Sequence, residues 1–108
     1  MTTTTKTARA EAIAKCANII GKYCNVDPQK MFTGSQTKSV AVREARALLI
    51  CHLYREGMSF LAIGRLFRRS EDHVRRAQFH GIKRLVEDDH KMLESLPSIP
   101  NTLNISNV

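Results

Sequence analysis

At 108 residues the chain fits one domain, because two independent cores of that combined length would each be too small. A hydrophobic content of 43% excludes wholesale disorder, and 6% aromatic residues with no Trp favour helices packed on aliphatic side chains over a β-sandwich. The net charge of +7 favours a polyanionic partner, either nucleic acid or an anionic surface.

Residues 1–6 are Thr-rich and polar; they are expected to be disordered and do not read as a signal peptide. From about Thr7, Ile13, Ala17 and Ile20 recur at three- and four-residue steps, with Cys16, Tyr23 and Cys24 filling out a helical stripe. Asp27 can cap a short helix over 28–32, with Pro28 in its first position and Met31 and Phe32 offered to the core. Residues 33–39 are rich in Gly, Ser and Thr and read as a loop. Ser39 or Val40 opens a long helix to about Glu56, with Ala47, Ile50, Leu53 and Tyr54 as its buried stripe and Gly57 as its C-terminal cap. Arg43, Glu44, Arg46 and Arg55 fall mostly outside that stripe. The apolar run at 47–51 is too short to span a bilayer.

Ser59 caps a short helix over 60–67 carrying Leu61, Ile63, Leu66 and Phe67, and Arg68-Arg69 form a turn. Ser70 caps the next helix, whose first turn holds Glu71 and Asp72 against the positive end of the dipole. Val74, Ala77, Gly81 or Ile82, and Leu85 give it one apolar face. Glu87-Asp88-Asp89 and Met92-Leu93 are read as prolonging it; Pro97 and Pro100 end regular structure. The expectation is an all-α bundle of about five helices over residues 7–95, followed by a flexible tail over 96–108.

Little in the sequence points to catalysis. Cys16, Cys24 and Cys51 cannot all pair and read as free thiols in a reducing cytoplasm. Cys16 and Cys24 are too far apart for a CxxC knuckle. Cys51 and His52 are helix neighbours pointing about 100° apart. No GxxxxGK[ST] phosphate loop occurs, and the carboxylates at 87–89 form a solvated run without a paired acid and base. No enzyme activity, metal or cofactor is expected.

Residues 59–85 carry the functional signal. A helix-turn-helix needs a short helix, a tight turn, and a second helix that docks one face and offers the other to the major groove. Ile63-Gly64 supply a small residue at a close approach, Phe67 and Val74 bulky contacts on either side of the turn, and Ala77 a small crossing point. With Val74, Ala77 and Leu85 inward, His73, Arg75, Arg76, Phe79, His80 and Lys83 face out. Arg and Lys suit phosphates or guanine edges, and His and Gln78 can bond to bases. Phe79 could meet a thymine methyl, the C-terminal helix or a partner chain. Arg65, Arg68 and Arg69 add charge at the near end.

This stretch, SFLAIGRLFRRSEDHVRRAQFHGIKRL, resembles the C-terminal DNA-binding domain of the bacterial replication initiator DnaA, in Ile63-Gly64, Phe67, Asp72-His73, Val74 and Ala77. Upstream, Tyr23, Val26-Asp27, Met31-Phe32 and Lys38-Ser39-Val40-Ala41-Val42-Arg43 are similar to that family's first helices and basic loop, so the likeness covers most of residues 10–86. The resemblance implies a TrpR-like fold that binds double-stranded DNA in replication initiation or transcription regulation, as a stand-alone relative of the kind a phage or mobile element carries. It also implies that the recognition helix reads the major groove while a loop arginine enters the minor groove. Arg43 is the best match for that arginine, with Lys38 and Arg46 as neighbours.

The family's Gly-Gly-Arg turn is Arg68-Arg69-Ser70 here, and its two threonines after Asp-His are missing, so the initiator's usual site is not the expected target. The expected contact set is Lys38, Arg43, Arg46, Arg65, Arg68, Arg69, Ser70, Asp72, His73, Arg75, Arg76, Phe79, His80 and Lys83. The rival expectation is a protein-interaction module that docks on a host replication or transcription protein. No heptad stripe chooses between a monomer and a homodimer.

Overall fold

The computed structural model describes residues 4–32 and 39–100, with side chains from residue 8 onward. It contains α1 (Thr4–Cys24), a 3-10 helix (Pro28–Phe32), α2 (Val40–Arg55), α3 (Phe60–Phe67), α4 (Glu71–Arg84) and α5 (Glu87–Glu94). The described residues include no strand. No helix among them is long and apolar enough to cross a membrane.

Serine caps set three of the starts. The hydroxyls of Ser39, Ser59 and Ser70 accept from the backbone N–H of Val42, Ala62 and His73 at 3.3, 3.1 and 3.1 Å. The first three α-helices each stop at a left-handed residue that lets the following amide turn back onto the last helical turn. After α1, Asn25 has φ 57° and the Val26 N–H reaches the Gly21 carbonyl at 2.8 Å. After α2, Gly57 has φ 101° and the Met58 N–H reaches the Leu53 carbonyl at 3.1 Å. After α3, Arg68 has φ 57° and the Arg69 N–H reaches the Gly64 carbonyl at 2.8 Å. Glycine adopts this conformation without steric penalty and Asn with little, whereas arginine must hold its Cβ against the carbonyl.

The centre of the bundle is α2. Nine of its 16 residues are buried, which is more than one stripe can supply, so the helix is enclosed by its neighbours. It packs against α1, the 3-10 helix, α3, α4 and α5. Leu49, Ile50, Cys51 and Leu53 meet Cys16, Ala17 and Ile20 of α1, Met31, Ile63 and Phe67 of α3, and Val74 of α4 in one core. Phe32 stacks on Phe67 with ring centroids 5.3 Å apart. Tyr54, expected in the buried stripe, is instead exposed and stacks on Phe60 at 4.4 Å, because α3 folds back beside the end of α2. Tyr23 is likewise exposed, and its hydroxyl donates to the Asp89 carboxylate at 2.6 Å.

Three boundaries differ from the sequence reading, the first being that α1 already begins at Thr4, inside the stretch 1–6 that was expected to be disordered. α4 stops at Arg84 and α5 is a separate helix, because Leu85 and Val86 are extended. The Val86 N–H donates to Asp89 Oδ2 at 3.0 Å, so the acidic run is the start of a new helix, at the positive end of its dipole. The first part of the expected tail is also packed. Leu96 and Ile99 are buried, the Pro97 carbonyl accepts from His52 Nε2 at 2.9 Å and from the Cys16 thiol at 3.5 Å, and the Ile99 N–H donates to Glu56 Oε1 at 2.8 Å. Residues 101–108, the remainder of that tail, lie outside the described residues, as does the loop at 33–38.

The α3–α4 turn generates paired predictions. A Cβ on Gly64 would stand 2.5 Å from the Arg69 carbonyl oxygen, a backbone atom that cannot swing away. Gly64→Ala should therefore destabilise the fold by about 1–3 kcal/mol, the range for overpacking a tight contact. Arg68→Gly should stabilise it by about 1 kcal/mol by relieving the left-handed arginine. Urea unfolding followed by circular dichroism checks both, and opposite signs are expected at positions four residues apart.

Candidate nucleic-acid interface

The docked face of α4 consists of Val74, Gln78 and the half-buried Ala77, Gly81 and Leu85. Gln78, read from the sequence as a base reader, is 8% exposed and is therefore excluded from that role: the docked face is one residue wider than the apolar spacing indicated. The remaining side chains divide into three groups. Asp72, Arg76, Phe79 and Lys83 point outward. Arg75 leans toward α3, its guanidinium 5.4 Å from the Phe60 ring and 3.3 Å from Glu71. His73, His80 and Arg84 face the α2 side, in the seam between the two helices.

That seam gathers the strongest positive charge. At one end, Arg43, Arg46, Ala47 and Ile50 of α2, Arg69 of the turn and His73 and Ala77 of α4 line a cleft of about 370 Å³. Towards the other end it widens into a groove of about 820 Å³, where Arg43, His80 and Arg84 face Glu44 and Asp89 across an apolar floor that includes Val40, Leu48 and Leu85. Arg84 was absent from the sequence-derived set. Its signal was four-residue spacing from His80, which puts both on one side of a helix.

Arg46 corrects the sequence reading. Only 7% of it is exposed, and its Nε donates to the Met31 carbonyl at 2.8 Å while a terminal nitrogen approaches the Lys30 carbonyl at 3.4 Å. It therefore ties the 3-10 helix to α2 and forms the floor of the cleft rather than reaching out to a groove. Burial and the neighbouring Arg69 lower its pKa. Among the described residues no ion pair involves Arg46, Arg43 or His73; the ion pairs run within α4 and α5.

The other predicted residues are placed as follows. Ser70 spends its hydroxyl on capping α4. Asp72 pairs with Arg76 at 3.1 Å and approaches Arg75 at 3.9 Å. Arg65 and Arg68 are exposed at the α3 end and Arg69 is half-buried. Phe79 is 55% exposed, with the Lys83 ammonium 4.2 Å from its ring and the His80 ring packed edge-on at 5.6 Å. Lys38 lies outside the described residues. Of the three thiols, Cys24 lines the wider groove, whereas Cys16 and Cys51 are buried, and desolvation pushes Cys16 up to about 11.

No protein-family model, curated protein or solved structure matches the chain.

His73 carries the electrostatic signature of the cleft. Desolvation lowers its pKa from the ordinary 6.5, and Arg69, Arg76 and Arg46 lower it further, against a small opposing effect from Asp72. The unfolded chain therefore binds this proton more readily than the folded one. The stability associated with a neutral His73 is present above about pH 6.5 and is lost as the pH falls through the unfolded and then the folded value. Urea midpoints at neutral and mildly acid pH should drop less in His73→Gln than in the wild type; an equal drop would show that acid sensitivity arises elsewhere.

Proposed function

We propose that the chain is a sequence-specific, double-stranded DNA-binding protein, a cytoplasmic and non-catalytic module acting in transcription regulation or replication initiation. The observation that carries this reading is the convergence of Arg43, Arg69, His73, His80 and Arg84 along the side of α4 that faces α2, beside the outward-facing Arg76, with α3 and α4 read as a helix-turn-helix. In this reading α4 enters the major groove, Arg76 and Lys83 meet bases or phosphates, and Arg43 follows the adjoining strand. The likeness of residues 59–85 to the initiator's DNA-binding domain supports it.

The acidic residues of α4 do not oppose this. Glu71 and Asp72 hold Arg75 and Arg76 through exposed i,i+3 and i,i+4 pairs. Such pairs are worth about 0.3–0.5 kcal/mol, less than a charge-assisted bond to phosphate. Arg76 can exchange partners at small cost, and Asp72 is then released to accept from a cytosine amino group.

Fluorescence anisotropy with labelled duplexes tests the proposal. With four phosphates engaged, affinity should fall about a hundredfold between 50 and 200 mM salt. Arg76→Ala should lower discrimination between selected and random sequence by about 1–3 kcal/mol. Absence of binding at low salt would overturn the reading.

One observation favours a second reading. Phe79 and Ile82, one turn apart on α4, are 55% and 43% exposed, and Val86, at the start of α5, is 59% exposed. Exposed apolar residues one turn apart are the form a helix takes when it docks on another protein. Under that reading the chain binds no duplex, and Phe79→Ser abolishes capture of a replication or transcription protein that the wild type retains.

A further inference from the structure

We propose that the cleft between α2 and α4 is a built oxyanion seat that takes one phosphate group, with Arg46 as its floor and Arg43, Arg69 and His73 as its walls. The inference deepens the DNA-binding reading, on which the identity of that phosphate as a backbone diester rests; the same chemistry would also hold the phosphate of a small free ligand.

Three features of the cleft carry it. First, the seat is a half-open cleft, recessed between two helices and reachable from solvent. Its volume of about 370 Å³ exceeds the space of a single phosphate and its solvation, and its apolar wall of Ala47, Ile50 and Ala77 limits competition from water. Second, three guanidinium groups and one imidazole from three separate elements line this volume, and carboxylates are absent from its lining. Arg43, Arg46 and His73 have no ion pair among the described residues, so the like charges they bring together favour an anion between them. Third, Arg46 is more than nine-tenths buried, yet among the described residues its partners are main-chain carbonyls and not a carboxylate. Carbonyls satisfy its N–H groups without neutralising its charge, so the desolvated charge is left to an incoming anion.

The groups that face His73 are Arg46 from α2, Arg69 from the turn, and Arg76 and Asp72 from its own helix, with Arg43 across the cleft. Four of these five charges are positive. A phosphate in the seat offsets part of that positive field, so the imidazolium is stabilised and donates to the anion. Occupancy and proton uptake at His73 are therefore linked, and affinity for the phosphate rises as the pH falls through the His73 transition.

The test follows the His73 ring by NMR in the full chain while pH is varied. It is run in chloride, then in inorganic pyrophosphate at equal ionic strength, then with a 20-base-pair duplex. Pyrophosphate should raise the His73 midpoint by about one pH unit over its value in chloride, the size expected of a close opposite charge. Arg69→Gln should remove most of that rise; Arg43→Gln, on the exposed rim of α2, serves the same purpose if the turn is disturbed. The duplex should act like pyrophosphate at lower concentration, which assigns the ligand as a backbone diester. A rise with pyrophosphate but not with the duplex keeps the seat, makes its ligand a free phosphate compound and removes this cleft from the DNA-binding reading. Duplex binding that leaves the His73 midpoint at its value in chloride, or no response to either anion, overturns the seat.

Discussion

The backbone N–H of Arg69 donates to the carbonyl of Gly64, while the Arg69 carbonyl occupies the place where a side chain on Gly64 would lie. Both contacts demand that the chain fold back within three residues of the end of α3. The consequence is that α4 begins directly beside α2, with Phe67 and Val74 sealed on either side of the turn. It also fixes where Arg69 stands. One residue earlier or later, its guanidinium would leave the cleft that it shares with Arg43, Arg46 and His73. The left-handed Arg68 is the strained element of this turn, at a position where glycine would fit without penalty. An exposed arginine kept in such a conformation at the edge of a basic surface is in keeping with selection for charge over stability.

From that placement the electrostatics follow. A chain of +7 can spread its cations so that each is solvated, and most exposed arginines here are in that state. The seam between α2 and α4 is arranged differently. It brings Arg46 out of water, sets Arg69 near it and lowers the proton affinity of His73. Screening at physiological salt weakens charges further apart than about 8 Å, but reaches partly buried ones much less. The positive potential therefore persists in the cleft at salt concentrations that blunt it elsewhere on α4, where Arg75 and Arg76 are already neutralised by Glu71 and Asp72.

Much of the fold was legible because local chemistry and tertiary structure agree. Ser39, Ser59 and Ser70 each precede a helix and each caps it, and Gly57 takes the left-handed position that its place after α2 required. The run at 47–51 marks the central helix, since residues buried on all sides lose amphipathic spacing. What failed to be legible depends on partners distant in sequence. Arg46 reads as a surface cation until the 3-10 helix presents the Met31 carbonyl to it. Gln78 reads as a polar outer residue until α3 and α2 close over it. The break at Leu85–Val86 lacks glycine or proline, and its signal was only the acidic run that starts α5. Residues 96–100 look like a proline-marked tail, yet the Pro97 carbonyl is the acceptor for His52 and Cys16. Of the candidate site, the sequence identified Arg43, Arg69, His73, Arg76 and His80; Arg84 and the depth of Arg46 required the helices to be packed.

The most direct test of DNA recognition along the α2–α4 seam is a two-dimensional amide NMR titration of the full chain with a selected duplex. Shift changes should concentrate at Arg43, Arg69, His73, Arg76, His80 and Arg84 and leave α1 and residues 96–100 unmoved. Saturating duplex at low salt with no change along the seam, or with changes confined to Phe79, Ile82 and Val86, would contradict it.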